Sequence, residues 1–165
     1  MAKKTALTVT LHIDGVRETL AAFRRLGKDA EKKLREASLR LADVLAAKAQ
    51  AAARTDSAQS ALMAPTVKAV RDRVPTVQAG GTRKVGRNRA PAWGVLFGSE
   101  FGMNQRSGWY ANPRYDGESG RQYRPHQGRQ GYWFFPLVEE NAGEIADAWN
   151  KAAGDLLREF EAGDG

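Results

Sequence analysis

The 165-residue chain predicts an α+β fold, in which a small, mostly antiparallel sheet packs against two N-terminal helices and a long C-terminal helix. Three observations predict it: a period-2 alternation near the N-terminus, short β-branched stretches in the middle, and apolar residues at helical spacing in three segments. A long irregular loop over about 98–131 completes the expected architecture. The length suits a single domain over residues 1–165.

The first strand is predicted where apolar Leu7–Ile13 alternate with polar residues. His12 falls on the polar face, and we interpret it as a solvated surface histidine. Asp14 is expected to cap the next helix, since its carboxylate could accept free backbone N–H groups. That helix is predicted from about Val16 to Leu26, with Gly27 ending it.

The middle of the chain is predicted as a second helix from about Asp29 to Ala53, favoured by its alanine content, followed by a loop over 54–65. Two short strands are expected over 66–73 and 75–79, with helix over 67–73 as the competing interpretation. The Gly- and Arg-rich segment 80–91 is typical of a hairpin tip or an arm. Trp93–Phe97 is predicted to return to strand.

The aromatic run Tyr132–Phe135 precedes Pro136, which is acceptable in the first turn of a helix. Alternation predicts that Trp133 and Phe135 face the core while Tyr132 and Phe134 face a neighbour or the second side of the sheet. The last helix is predicted over about 137–160 from apolar residues that share one face: Ile145, Trp149, Ala152, Leu156 and Phe160.

Charge is distributed unevenly along the chain, whose net charge is +7. Residues 83–136 carry nine Lys or Arg and three acids, a net of +6, whereas residues 137–165 carry eight acids and two bases, a net of −6. Such polarity can steer association with another macromolecule, or with another copy of the chain head to tail.

The residue inventory offers little for catalysis, because the chain has no cysteine and two histidines, in contexts that suggest no shared site. No nucleophile, phosphate-loop or metalloprotease motif occurs. We therefore expect no enzymatic activity, no cofactor and no metal. Neither a signal-peptide pattern nor an apolar run of bilayer length occurs, so we expect a protein made in the cytoplasm and no membrane contact.

Arginines and lysines interleaved with aromatics mark a candidate contact surface over 83–129. Arginine binds phosphate while aromatics stack on bases, so the combination suits nucleic acid. The same residue types anchor protein interfaces, and both interpretations stay open. The candidate contact residues are Arg83, Lys84, Arg87, Arg89, Arg106, Trp109, Tyr110, Arg114, Tyr115, Arg121, Tyr123, Arg124, His126 and Arg129.

Three segments carry a family resemblance through their order: GVRETLAAFRRLGKDAEKKLREASLRLA (15–42), LFGSEFG (96–102) and GYWFFPLVEENAGEIADAW (131–149). Together they resemble the neck or tail-completion proteins, which join head and tail in long-tailed bacteriophages. That family commonly has a Pro-Val-Asp-Thr-Gly-x-Leu turn after the long helix. This chain has ARTDSAQSAL (53–62) there and keeps the aspartate as Asp56.

The resemblance implies a structural virion protein at the head-proximal end of the tail, assembled as a ring, expected to be a hexamer. Its implied partners are other copies of itself, the connector and the tail-tube proteins, with passive contact to DNA in the lumen. We interpret Glu100 and Phe101 first as part of a strand-end turn, with a direct partner contact as the second interpretation. The alternative function is that of a basic nucleic-acid-binding protein.

Overall fold

The structure is a computed structural model that describes residues 5–102, 124–126 and 128–163. Its strands are β1 (Ala6–Thr10), β2 (Lys68–Val70), β3 (Thr76–Gly80), β4 (Lys84–Val85) and β5 (Ala90–Pro91). Its α-helices are α1 (Val16–Leu26), α2 (Lys28–Asp56), α3 (Ala58–Ala61), α4 (Ala92–Phe101) and α5 (Phe134–Gly163). Two 3₁₀ turns cover Ala64–Thr66 and Gly128–Gln130.

The strands form two small antiparallel sheets, which confirms the predicted α+β class. The first has the order β1-β3-β2, with Lys68 opposite Gln78 and Val70 opposite Thr76. The second is the hairpin of β4 and β5, in which Lys84 lies opposite Pro91. Both the β2–β3 pair and the hairpin tip agree with the sequence prediction.

Local periodicity placed the first helices correctly. Helix α1 spans the predicted residues, and Gly27 ends it with a φ of 101° while its N–H donates to the Phe23 carbonyl. Helix α2 continues three residues beyond the predicted end, and α3 with a 3₁₀ turn occupies half of the predicted loop 54–65. The small residues of that loop therefore form short helical turns capped by Ser57, whose side chain accepts the Ser60 N–H.

Four further local predictions are wrong. Trp93–Phe97 belongs to helix α4 rather than to a strand, and Glu100 lies at the end of that helix rather than in a strand-end turn. Asp14 does not cap α1, whose N-cap is Gly15 without a side-chain bond. Phe134, predicted to face a neighbour or the second side of the sheet, is fully buried, because it lies in α5, where the alternation of a strand does not apply.

The described contacts group into two compact units, each built from several stretches of sequence. The predicted single domain over 1–165 stays a prediction. Unit 1 comprises Met1–Leu7, Ala47–Val67 and Ala79–Glu139, of which the structure describes the ranges given above. Its buried side chains include Met63, Leu96, Trp133 and Phe134.

Unit 2 comprises Thr8–Ala46, Lys68–Gln78 and Glu140–Gly165. Its core contains Phe23, Leu34 and Trp149, all fully buried. The Trp149 indole N–H donates to the Ser38 hydroxyl at 2.9 Å and to the Arg73 carbonyl at 3.1 Å. The Ser38 hydroxyl itself donates to the same carbonyl at 2.6 Å. This triangle satisfies the polar atoms that α2 and α5 bring into the core of the unit.

Within the described ranges, no helix is both long enough and apolar enough to cross a membrane.

Removing the Ser38 hydroxyl should cost less than removing the Trp149 indole. In Ser38→Ala the indole N–H keeps the Arg73 carbonyl as its acceptor, so we expect a loss of about 1 kcal/mol in the free energy of unfolding. Trp149→Phe removes the donor and leaves a cavity, so we expect about 2–4 kcal/mol. Urea unfolding followed by far-UV circular dichroism measures both. The exposed neighbour Asn150→Ala is the control, and equal losses in all three variants would contradict this ranking.

Candidate functional site

Glu100 is the charged residue of helix α4, whose sequence AWGVLFGSEF is otherwise apolar or small. Its side chain is 0% exposed. A buried ionisable group without partners is strongly unfavourable, so its environment must supply hydrogen bonds. The bonds that it makes define the candidate site.

The Glu100 carboxylate accepts three consecutive backbone N–H groups at the start of α5. Oε2 accepts the N–H of Trp133 at 3.3 Å and that of Phe134 at 2.7 Å. Oε1 accepts the N–H of Phe135 at 3.1 Å. A residue of α4 thus caps a helix that begins more than thirty residues later in the chain.

This cap satisfies the whole first turn of α5. The first N–H groups of a helix have no partner inside it. Here three of them bind Glu100, and the next position is Pro136, which has no N–H. The first regular helical bond is that of Leu137 to the Trp133 carbonyl, at 3.1 Å. A negative charge at this end also interacts favourably with the helix dipole.

The backbone just before α5 is fitted to the same residue. The Tyr132 N–H donates to the Glu100 main-chain carbonyl at 2.7 Å. Gly131 has a φ of 73°, and a Cβ there would overlap the Glu100 carboxyl group. Gly131 is therefore needed both for its left-handed backbone and for the space that the carboxyl group occupies.

The pKa of the Glu100 carboxyl is raised from an ordinary 4.5 to about 7, chiefly because burial disfavours the charged form. The backbone N–H groups of Phe134, Phe135 and Trp133 oppose this by stabilising the ionised form, and the nearby charge of Asp56 adds to the rise. Glu100 therefore titrates near neutral pH inside a hydrogen-bonded cap.

A second connection in unit 1 is the ion pair of Arg124 with Asp56. The guanidinium donates from Nη1 to Oδ1 at 3.0 Å and from Nη2 to Oδ2 at 2.6 Å. The Ser60 hydroxyl also donates to Oδ2 of Asp56. The Asp56 side chain is 15% exposed and that of Arg124 is 36% exposed. The bidentate geometry and limited exposure favour the upper end of the ~0.2–1 kcal/mol that exposed pairs contribute.

Arg124 also joins this ion pair to the residues around Glu100. Its guanidinium lies 3.8 Å from the centroid of the Tyr132 ring, a cation–π contact. The Tyr132 hydroxyl donates to the Pro125 carbonyl at 2.7 Å. Gly102, with a φ of 73°, leaves no room for a Cβ because the carbonyls of Arg124 and Pro125 lie against it.

Aromatic rings surround the cap. Phe101 lies 6.0 Å from Phe97 and 5.8 Å from Phe135, measured between ring centroids. The Trp133 indole N–H donates to the Ser99 hydroxyl at 3.2 Å. Together these contacts bury the end of α4 against the start of α5.

Two of the predicted contact residues have internal roles. Glu100 was predicted as an interface residue, and this is wrong, because its carboxylate is buried and bound to α5. Arg124 directs its guanidinium at Asp56 instead of outward. Sequence reasoning missed Asp56 as the partner of Arg124 and Ser99 as the partner of the Trp133 indole. A single charge inside an otherwise apolar run was the signal that could have identified Glu100 as a buried cap.

The remaining predicted contact residues divide into exposed and undescribed ones. Arg83, Lys84, Arg87 and Arg89 are exposed on and beside the β4–β5 hairpin, and His126 and Arg129 are exposed as well. Phe101 is half-buried among the rings. Outside the described residues lie Arg106, Trp109, Tyr110, Arg114, Tyr115, Arg121 and Tyr123. The exposed cations and the cap are the features from which a function can be argued.

His12 lies at the surface as predicted, 3.5 Å from the Asp14 carboxylate, with both side chains fully exposed. Among the described residues, no group of three or more His, Asp or Glu side chains is placed to bind a metal ion. The Glu100 carboxylate has its oxygens occupied by backbone donors, so its chemistry in this arrangement is that of a structural acceptor.

Comparisons with protein-family models, curated proteins and solved structures found no match for this chain.

Glu100→Gln should destabilise the protein in a pH-dependent way. An amide has one accepting oxygen, so its NH2 group would face at least one backbone N–H, and we expect a loss of about 1–3 kcal/mol near pH 7.5. Because folding raises the pKa of Glu100 from 4.5 to about 7, the native protein binds a proton that the unfolded chain has released within that interval. The stability that Glu100 contributes is therefore highest below pH 4.5 and falls as pH rises through 7.

The difference between the wild type and Glu100→Gln should accordingly shrink between pH 4.5 and 7, by at most about 1.4 kcal/mol per pH unit. Urea unfolding at half-unit pH steps measures it. Glu159→Gln, an exposed change on α5, is the control and should leave the wild-type pH profile unchanged. A difference that is flat with pH would contradict the raised pKa.

Proposed function

We propose that this chain is a structural virion protein that joins head and tail of a tailed bacteriophage. It acts as a ring-forming subunit at the head-proximal end of the tail, in a neck or tail-completion role. The order of its three motif segments supports this assignment, since the segments resemble the neck and tail-completion proteins. The proposed location is the virion, after assembly in the host cytoplasm.

The observation that carries the proposal is the Glu100 cap. Glu100 belongs to LFGSEFG, and the N–H groups that it accepts belong to GYWFFP, so one carboxylate joins two of the three segments that carry the resemblance. These segments are distant in sequence, yet they form one structural element. This gives both motifs a common physical role as a scaffold.

The state of Glu100 also favours a scaffold over a catalyst. Burial raises the pKa of its carboxyl to about 7, and groups with such raised pKa values often act as general acids or bases. Catalysis requires the group to reach a substrate, whereas this side chain is 0% exposed and bonded to three backbone donors. The raised pKa of Glu100 follows from its burial as a helix cap, so we propose a non-enzymatic protein.

The exposed cations of the hairpin favour one alternative, a basic nucleic-acid-binding protein. Arg83, Lys84, Arg87 and Arg89 could neutralise phosphates. Such binding would be tight at low ionic strength and would weaken steeply with added salt. The two functions therefore separate by whether the purified chain forms defined rings or binds duplex DNA as a monomer.

In a phage whose genome carries this gene, we expect the chain to be present at the head–tail junction. Gold-labelled antibodies against the purified chain should mark that junction in electron micrographs. Deleting the gene should yield DNA-filled heads and separate, complete tails. A plasmid-borne copy of the gene should restore joined particles. Infectious, joined virions that lack the chain would contradict the proposal.

A further inference from the structure

The hairpin of β4 and β5 presents a concentrated positive surface, here called the basic hairpin: Arg83, Lys84, Arg87 and Arg89. All four side chains are exposed. The sequence from Arg73 to Ser99 contains no aspartate or glutamate. No neighbour along this stretch therefore offsets the charge, and a surface of one sign attracts an acidic partner.

The basic hairpin is fixed firmly to the rest of unit 1. Val85 is buried, and the Ala92 N–H donates to the Arg83 carbonyl at 2.8 Å. The Trp93 N–H donates to the Gly81 carbonyl at 3.0 Å. These contacts hold the basic hairpin in place, and an ordered surface loses less entropy when it binds.

The tip keeps an arginine where the backbone favours other residues. Arg89 has a φ of 52°, the one positive φ of a non-glycine residue in the described part of the chain. Its N–H donates to the Gly86 carbonyl, which closes the turn. Glycine or asparagine adopts this conformation more readily, so the arginine carries a conformational cost.

The chain carries a matching negative surface on α5, here called the acidic stripe: Glu140, Glu144 and Asp147. The spacing of four and three residues places them on one helix face, and all three are exposed. Further along the helix, Lys151 and Arg158 bond to Asp155 and hold its pKa below the ordinary value. Part of the negative charge near the C-terminus is thus paired within the helix itself.

We infer that the basic hairpin of one copy of this chain docks on the acidic stripe of a second copy. The inference rests on the proposed ring, and it names the surfaces by which neighbouring subunits would recognise each other. The two surfaces are opposite in charge, and both lie on the same chain. A contact between two different surfaces of identical copies is heterologous, and such contacts generate rings when the rotation closes.

Charge exchange tests the inference directly. Full-length Arg87→Glu/Arg89→Glu should raise the apparent dissociation constant for self-association by about tenfold or more, because like charges would then meet. Glu140→Lys/Asp147→Lys should do the same. Combining all four substitutions restores opposite charges and should recover association to near the wild-type value. Sedimentation velocity at about 0.1 M salt measures each protein, and the wild type should weaken toward 1 M salt.

The control is Arg24→Glu/Arg25→Glu, an equal change of charge at exposed positions of α1, which should leave association unchanged. Far-UV circular dichroism confirms that every variant is folded. If rings form but neither charge reversal affects them, or if the combined variant stays dissociated, the docking inference is wrong while the ring proposal stands. If the wild type does not self-associate at any concentration or salt, both are wrong.

Binding of a fluorescent DNA duplex of about 20 base pairs to the same set of proteins tests the nucleic-acid interpretation against the docking inference. Loss of duplex binding in Arg87→Glu/Arg89→Glu, with rings intact, would assign the hairpin to phosphates and overturn the inference. Rescue of association by the combined charge exchange is a result that binding to DNA would not produce.

Discussion

One buried carboxylate determines where the last helix begins. Glu100 would be costly to bury alone, and the first turn of α5 would leave its N–H groups unpaired. The Glu100 carboxylate and these N–H groups satisfy each other through three hydrogen bonds between α4 and α5. The arrangement depends on Gly131 for space and on Pro136, which supplies no further donor. These hydrogen bonds determine the backbone geometry of unit 1 around the aromatic run.

Helix α4 connects the two features on which the proposed function rests. Its C-terminal end carries the cap and contacts Arg124, whose pair with Asp56 ties the segment before α5 to the end of α2. Its N-terminal end follows directly from the basic hairpin, which it holds through the N–H groups of Ala92 and Trp93. A single short helix thus positions both an internal anchor and an exposed charged surface. This organisation suits a subunit that presents a fixed contact surface to a neighbour.

The sequence predicted those parts of the fold that depend on local periodicity, and it failed where distant contacts decide. Helix α1 and the β2–β3 pair follow from apolar spacing, glycine and β-branched residues within a short window. The run Trp93–Phe97 is ambiguous, since a short apolar run fits a buried strand or a buried helix. In the structure it forms part of α4, most of whose residues are buried. The backbone partners of Glu100, and Arg124 as the partner of Asp56, lie more than thirty residues away, so no spacing rule could have paired them.

The central claim is that the Glu100 carboxylate binds the first N–H groups of α5, and amide hydrogen exchange measured by NMR tests it most directly. Helix N-terminal amides ordinarily exchange fast because they lack acceptors. We expect the amides of Trp133, Phe134 and Phe135 to be protected in the wild type, and we expect Glu100→Gln to lower their protection while amides in the middle of α5 keep theirs. Rapid exchange of all three in the wild type, at rates like those of a free helix end, would contradict the account.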